Sequence, residues 1–71
     1  MTEKEWKIEF SNRIKRRMEE LNLNQHELSR RTHIPANTIC MYVNGRCVPR
    51  ATVIPRLAVG LILPVSELVD F

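Results

Sequence analysis

The chain has 71 residues, 44 % of them hydrophobic and 27 % charged, with 2 Gly and 4 Pro. That length holds one domain and no deep, walled cleft of the kind most enzyme folds need, and that composition excludes a disordered, linker or fibrous segment. The net charge of +3 is concentrated in the middle: residues 10–56 carry nine bases and three acids, while both ends are slightly acidic.

Thr2 followed by Glu5 is the capping-box pattern of a helix start. Trp6, Phe10, Ile14, Met18 and Leu21 then recur at helical spacing, which predicts one apolar stripe on a helix over 3–21. Asn22 tolerates the left-handed conformation with which helices stop. Asn24 and Glu27 form a second start signal, for a short helix over 25–32 with Leu28 and Thr32 facing inward. Pro35 pushes Ile34 toward extended backbone and suits the cap or first position of a third helix. That helix carries Ala36 to Asn44 and meets Gly45, a good terminator.

Residues 46–50 form a loop with Val48 as its apolar anchor. Thr52 is the expected cap of a fourth helix that has Pro55 in its first turn and runs through Leu61. Pro64 ends the apolar stretch, and 65–69 can form one last short helix. No segment alternates at period two, and there is no repeat. The expectation is an all-α, compact bundle of about five helices in a single domain spanning 1–71.

Cys40 and Cys47 are too few for a disulfide framework. The charged residues 2–7 do not open a signal peptide, and the longest apolar run, 57–65, is far too short to span a membrane. Both points predict a cytoplasmic protein with free thiols and no membrane partner. His26, His33, Cys40 and Cys47 recur every seven residues and are of types that bind zinc. Structural zinc sites bring their ligands in close pairs, so the regularity is read as coincidence and no metal or cofactor is expected. No catalytic triad or phosphate-cradling glycine loop is present, and the chain is not read as an enzyme.

The central feature is two short helices joined by a very tight turn over 25–44, the helix-turn-helix arrangement. Ser29 is small where the two helices would cross, and Ile34 and Ile39 lock the pair apolarly. At about 100° per residue, Ile39, Tyr42 and Val43 share the core face of the third helix. Asn37, Cys40, Met41 and Asn44 lie opposite, with Ala36 and Thr38 on the flanks. The basic middle of the chain, with eight Arg among its nine bases, points to an anionic partner.

From residue 10 to 68 the chain resembles the lambda-repressor-like, Cro-type helix-turn-helix regulators of phages and bacteria. Leu23, Gln25, Leu28, Ser29, Ile34, Thr38, Ile39, Asn44, Gly45 and Pro49 stand at that family's spacings. His33 replaces the usual turn glycine, and Asn22 replaces the glycine after the first helix. Met18 and Val43 stand where many members bury an Arg–Glu pair. Exchanging such a pair for apolar residues is often neutral or stabilising.

The resemblance implies double-stranded DNA as partner and a transcriptional regulator, in the repressor style of phages and mobile elements. The third helix would read bases in the major groove. Asn37 is the best base reader, because its amide can pair bidentately with adenine. Ala36 and Met41 can contact a thymine methyl, and Thr38 can read a base or hold a phosphate. Asn24, Gln25, Asn44, Arg46 and Arg50 would frame the helix with phosphate contacts, the resemblance pointing to Gln25 in particular. Arg13 and Arg17 could reach phosphate, stay solvated, or hold Glu19 and Glu20.

The same fold serves antitoxins and protein-interaction modules that leave DNA alone, and that reading stands as the alternative. The C-terminal residues Leu61, Ile62, Leu63, Val65, Leu68, Val69 and Phe71 exceed what one small core needs, so part of the stretch is expected to form a homodimer interface. So short a chain leaves no room for a separate effector domain, and no small-molecule ligand is expected.

Overall fold

The computed structural model describes all 71 residues and contains five helices and no strand. In chain order they are α1 (Glu3–Leu21), α2 (Gln25–Thr32), α3 (Ala36–Val43), α4 (Val53–Gly60) and α5 (Val65–Val69). The first two begin as their sequences dictate. Thr2 and Glu5 make reciprocal hydrogen bonds at the start of α1, and Asn24 and Glu27 do the same for α2. The bond to Thr2 holds the Glu5 carboxyl below the usual carboxylate range. The third and fourth helices end one residue earlier than their periodicity predicts, with Asn44 and Leu61 as caps.

Along α1 the stripe buries Phe10, Ile14 and Met18, with Trp6 packed against them at its N-terminal end. The core is completed by Leu28, Ile34, Ile39, Tyr42, Leu57, Ala58, Leu61 and Leu68. It is aliphatic except for Phe10 and Tyr42, and each large side chain fully withdrawn from water contributes about 1.5–3 kcal/mol. α3 packs on both α1 and α2, α4 packs on α2 and α5, and α5 closes back on α1. Met18 is buried, and Val43 packs against the same core, so the two positions that resemble a buried ion-pair site are apolar.

Helix ends carry much of the local conformation. Asn22 and His33 take left-handed backbone, at φ 54° and 59°. Gly45 does the same at φ 66°, with its N–H on the Tyr42 carbonyl and the Arg46 N–H on the Met41 carbonyl. Those paired bonds close the last turn of α3 as a Schellman cap. Ile62 adopts φ 55° after α4, in the same bonding pattern, which sequence reading did not foresee. A β-branched residue there costs about 1–2 kcal/mol.

Arg17 supplies part of the compensation. Its Nε donates to the Leu61 carbonyl at 2.9 Å and its Nη2 to the Ile62 carbonyl at 3.1 Å. Arg13 acts alike one turn earlier, donating to the Glu67 and Asp70 carbonyls and lying 4.6 Å from the centre of the Phe71 ring. These two arginines therefore clamp the C-terminal ends of α4 and α5 onto α1. They also pair with Glu9 and Glu20 on their own helix, and neither holds Glu19.

Two other expectations, on Thr52 and Val48, are corrected. Thr52 makes no side-chain capping bond, and its backbone is already helical; the Val53 N–H donates instead to the Arg50 carbonyl. Val48 is exposed, and the loop is anchored by buried Pro49 and half-buried Cys47. In the C-terminal stretch, Leu61 and Leu68 are core, while Leu63, Val69 and Phe71 pack against it. Phe71 lies against Trp6, with ring centres 5.2 Å apart. Only Ile62 and Val65 of that stretch are exposed, as is Val59 on α4.

At Gly60, α4 lies tightly against α2. A Cβ there would lie 2.5 Å from the Thr32 Cγ2 and 3.2 Å from the Leu28 Cδ1. Thr32 is buried and held by its bond to the Leu28 carbonyl, so it cannot turn away. Gly60→Ala is expected to destabilise the domain by about 1–3 kcal/mol, since overpacking must push two helices apart. Urea unfolding checks this; an unchanged midpoint would show that the contact is not tight.

Candidate nucleic-acid interface

α2, the turn and α3 form one hydrogen-bonded unit. The His33 N–H donates to the Ser29 carbonyl at 2.9 Å, which completes α2 and reverses the chain. The Ser29 hydroxyl donates across the turn to the Ile34 carbonyl at 2.5 Å. Thr32 Oγ1 donates to the Leu28 carbonyl and accepts the Ile34 N–H. Ser29 thus serves by its hydroxyl as well as by its size, and a small apolar residue could not close the turn the same way. Buried Ile34 and Ile39 then fix the angle at which α3 leaves.

α3 is held from behind at its far end, where the Ser11 hydroxyl donates to the Val43 carbonyl. Ile39 and Tyr42 point into the core, and burial pushes the Tyr42 hydroxyl pKa up. The opposite face is open. Asn37, Met41 and Asn44 are exposed, and Ala36, Thr38 and Cys40 are half-buried beside them. The face deduced from helical periodicity is therefore the face the fold presents.

Two of these side chains have local partners. Asn37 Oδ1 accepts the N–H of Thr38 at 3.0 Å, but the Pro35 carbonyl accepts that same N–H at 3.0 Å. The Asn37 amide can therefore swing outward without orphaning the donor. Asn44 Nδ2 folds back on the carbonyl and sulfur of Cys40. Both thiols are free, and burial pushes the Cys47 thiol up from its ordinary pKa. No group of three His, Cys, Asp or Glu side chains converges anywhere in the fold.

The flanking residues lie at the two ends of this unit. Gln25 opens α2 and is half-buried. Its neighbour Asn24 is engaged as the cap, accepting the Glu27 N–H at 2.8 Å, so its oxygen is already occupied. Arg46 and Arg50 are exposed in the loop after α3. The ion pairs of the molecule are Lys7–Glu3, Arg13–Glu9 and Arg17–Glu20, all within α1, so the two loop arginines have no acidic partner. Arg13 and Arg17 do not belong to this surface, because their guanidinium groups are directed to carbonyls of the C-terminal helices. No helix is long and apolar enough to cross a membrane.

The sequence model of one protein family, described as a helix-turn-helix domain, matches residues 9–71. Neither the curated proteins nor the solved structures returned a match.

Proposed function

The chain belongs to the helix-turn-helix domain family, and we propose that it is a sequence-specific, double-stranded-DNA-binding transcriptional regulator acting in the cytoplasm as a repressor of the phage or mobile-element type. The observation that carries this reading is the outer face of α3. It is solvent-open and polar to weakly apolar, and it is flanked by cations that no acid neutralises. A helix about 10–12 Å across matches the B-DNA major groove, about 12 Å wide.

In this mode Asn37 and Met41, with Ala36 and Thr38 beside them, face base edges. Gln25 and the free N–H groups at the start of α2 meet one phosphate, where the helix dipole favours an anion. Asn24 contributes through its cap, and Asn44, Arg46 and Arg50 meet the backbone on the other side. The exposed apolar residues Val59, Ile62 and Val65 support a two-fold dimer, and dimeric helix-turn-helix regulators read half-sites about one helical turn of DNA apart. No observation in the fold favours the antitoxin or protein-interaction alternative over this one.

Salt and substitution test the reading together. Wild-type affinity for duplex DNA is expected to fall steeply as salt rises. Arg46→Ala and Gln25→Ala should weaken binding to specific and random duplexes alike, with Arg46→Ala also reducing the salt slope by about one unit. Fluorescence anisotropy at several salt concentrations measures both. Wild-type affinity in both variants at low salt would remove these residues from the interface. No DNA binding by the wild type would leave the protein-interaction alternative.

A further inference from the structure

The chemistry of the α3 face is narrower than that of a general DNA reader, and the inference drawn from it rests on the proposed DNA-binding function. We propose that the base pairs facing α3 are A·T pairs, with Asn37 on an adenine and Ala36, Thr38 and Met41 on thymine methyl groups.

Donors and acceptors decide between the base pairs. In the major groove guanine offers two acceptors, best met by the paired donors of Arg or by Lys, and cytosine offers a donor best met by a carboxylate. Residues 36–44 contain no Arg, Lys, Asp or Glu. The amide of Asn37, one donor and one acceptor, matches the N6–H and N7 of adenine. Ala36, Thr38 and Met41 present methyl or thioether groups, and the thymine methyl is the apolar feature that an unmodified base pair shows in that groove.

Exposure agrees with this division. Asn37 and Met41 are exposed, and Ala36 and Thr38 are partly so, while the other aliphatic residues of α3, Ile39 and Val43, are committed to the interior. A G·C pair set beneath Met41 and Ala36 would lose water from its polar edge and gain no partner. The next arginines along the chain after α3, Arg46 and Arg50, lie beyond the Gly45 turn, among the residues proposed to meet the phosphate backbone. Arg31, at the other end, turns toward α4 and lines an open groove with Pro55, Arg56 and Val59.

The experiment uses the full chain and chemically altered duplexes. Selection from randomised DNA should enrich half-sites with consecutive A·T pairs at the α3 positions. Replacing thymine by uracil in the selected site keeps every hydrogen-bonding group and removes only the methyl. Each such change under α3 should weaken binding about fourfold. Replacing adenine by 2,6-diaminopurine adds a minor-groove amino group, leaves the major-groove edge intact, and should have no effect. Met41→Ala should abolish the uracil effect at one position of each half-site, a coupling that a double-mutant cycle reads directly.

The opposite pattern, loss with diaminopurine and indifference to uracil, would assign any A·T preference to minor-groove shape and overturn the proposal. G·C pairs enriched at the α3 positions would overturn it while leaving sequence-specific binding intact. No enriched motif at all would overturn the DNA-reading function together with this inference.

Discussion

Ile39→Ala is expected to lower the unfolding free energy by about 2–5 kcal/mol, and Leu28→Ala by a similar amount. Both side chains are fully buried, one on each helix of the α2–α3 unit, with Ile34 of the turn in the same core cluster. Truncation would leave a cavity that the short, hydrogen-bonded turn cannot relax to fill. A 71-residue domain has a small reserve, so such a loss can unfold much of the population at 37 °C. The melting temperature should fall by about 4–8 °C for each kcal/mol lost. Calorimetry or circular dichroism melting measures it, and a wild-type melt in either variant would mean that α3 is not packed as described. DNA binding should fail in parallel with folding, because the same two residues set the direction in which α3 projects.

Much of this fold was legible because its signals are local. The α1 stripe, both capping boxes, the left-handed residues Asn22 and His33, and the Gly45 stop each depend on residues within a few positions of one another. The outer face of α3 was legible for the same reason, since one buried pair, Ile39 and Tyr42, fixes the orientation of an eight-residue helix. What escaped the sequence is what spans it. Arg13 and Arg17 reach carbonyls 44 to 57 residues away, so their positions on α1 gave no sign that they are clamps and not phosphate contacts. Gly60 carries no local signal in the sequence; its reason is Thr32, which only the crossing of α2 and α4 brings near. Ile62 is a β-branched residue in a left-handed cap, where no local signal would place it, and the clamp from Arg17 accompanies it. The surplus counted in the C-terminal stretch shrank for a related reason: α5 folds back on α1, where Phe71 covers Trp6 and most of the stretch becomes interior.

Asn37→Ala is expected to remove about 1–3 kcal/mol of discrimination at one base position in each half-site, and so about twice that for a dimer on a two-fold operator. The side chain is exposed and its bond to the Thr38 N–H is duplicated by the Pro35 carbonyl, so α3 should keep its helicity without it. The loss is therefore one of readout, which separates it from the core variants, where binding and stability fall together. Selection from randomised duplexes, wild type against variant, gives the preference at every position, and circular dichroism confirms that the helices persist. A preference erased at two symmetric positions supports direct reading by Asn37 and places two copies of α3 on the site. Erasure at a single position would mean that one copy binds alone, and the exposed Val59, Ile62 and Val65 would then need another explanation. An unaltered motif would remove Asn37 from the base-reading set and shift the weight of recognition to Met41 and its neighbours.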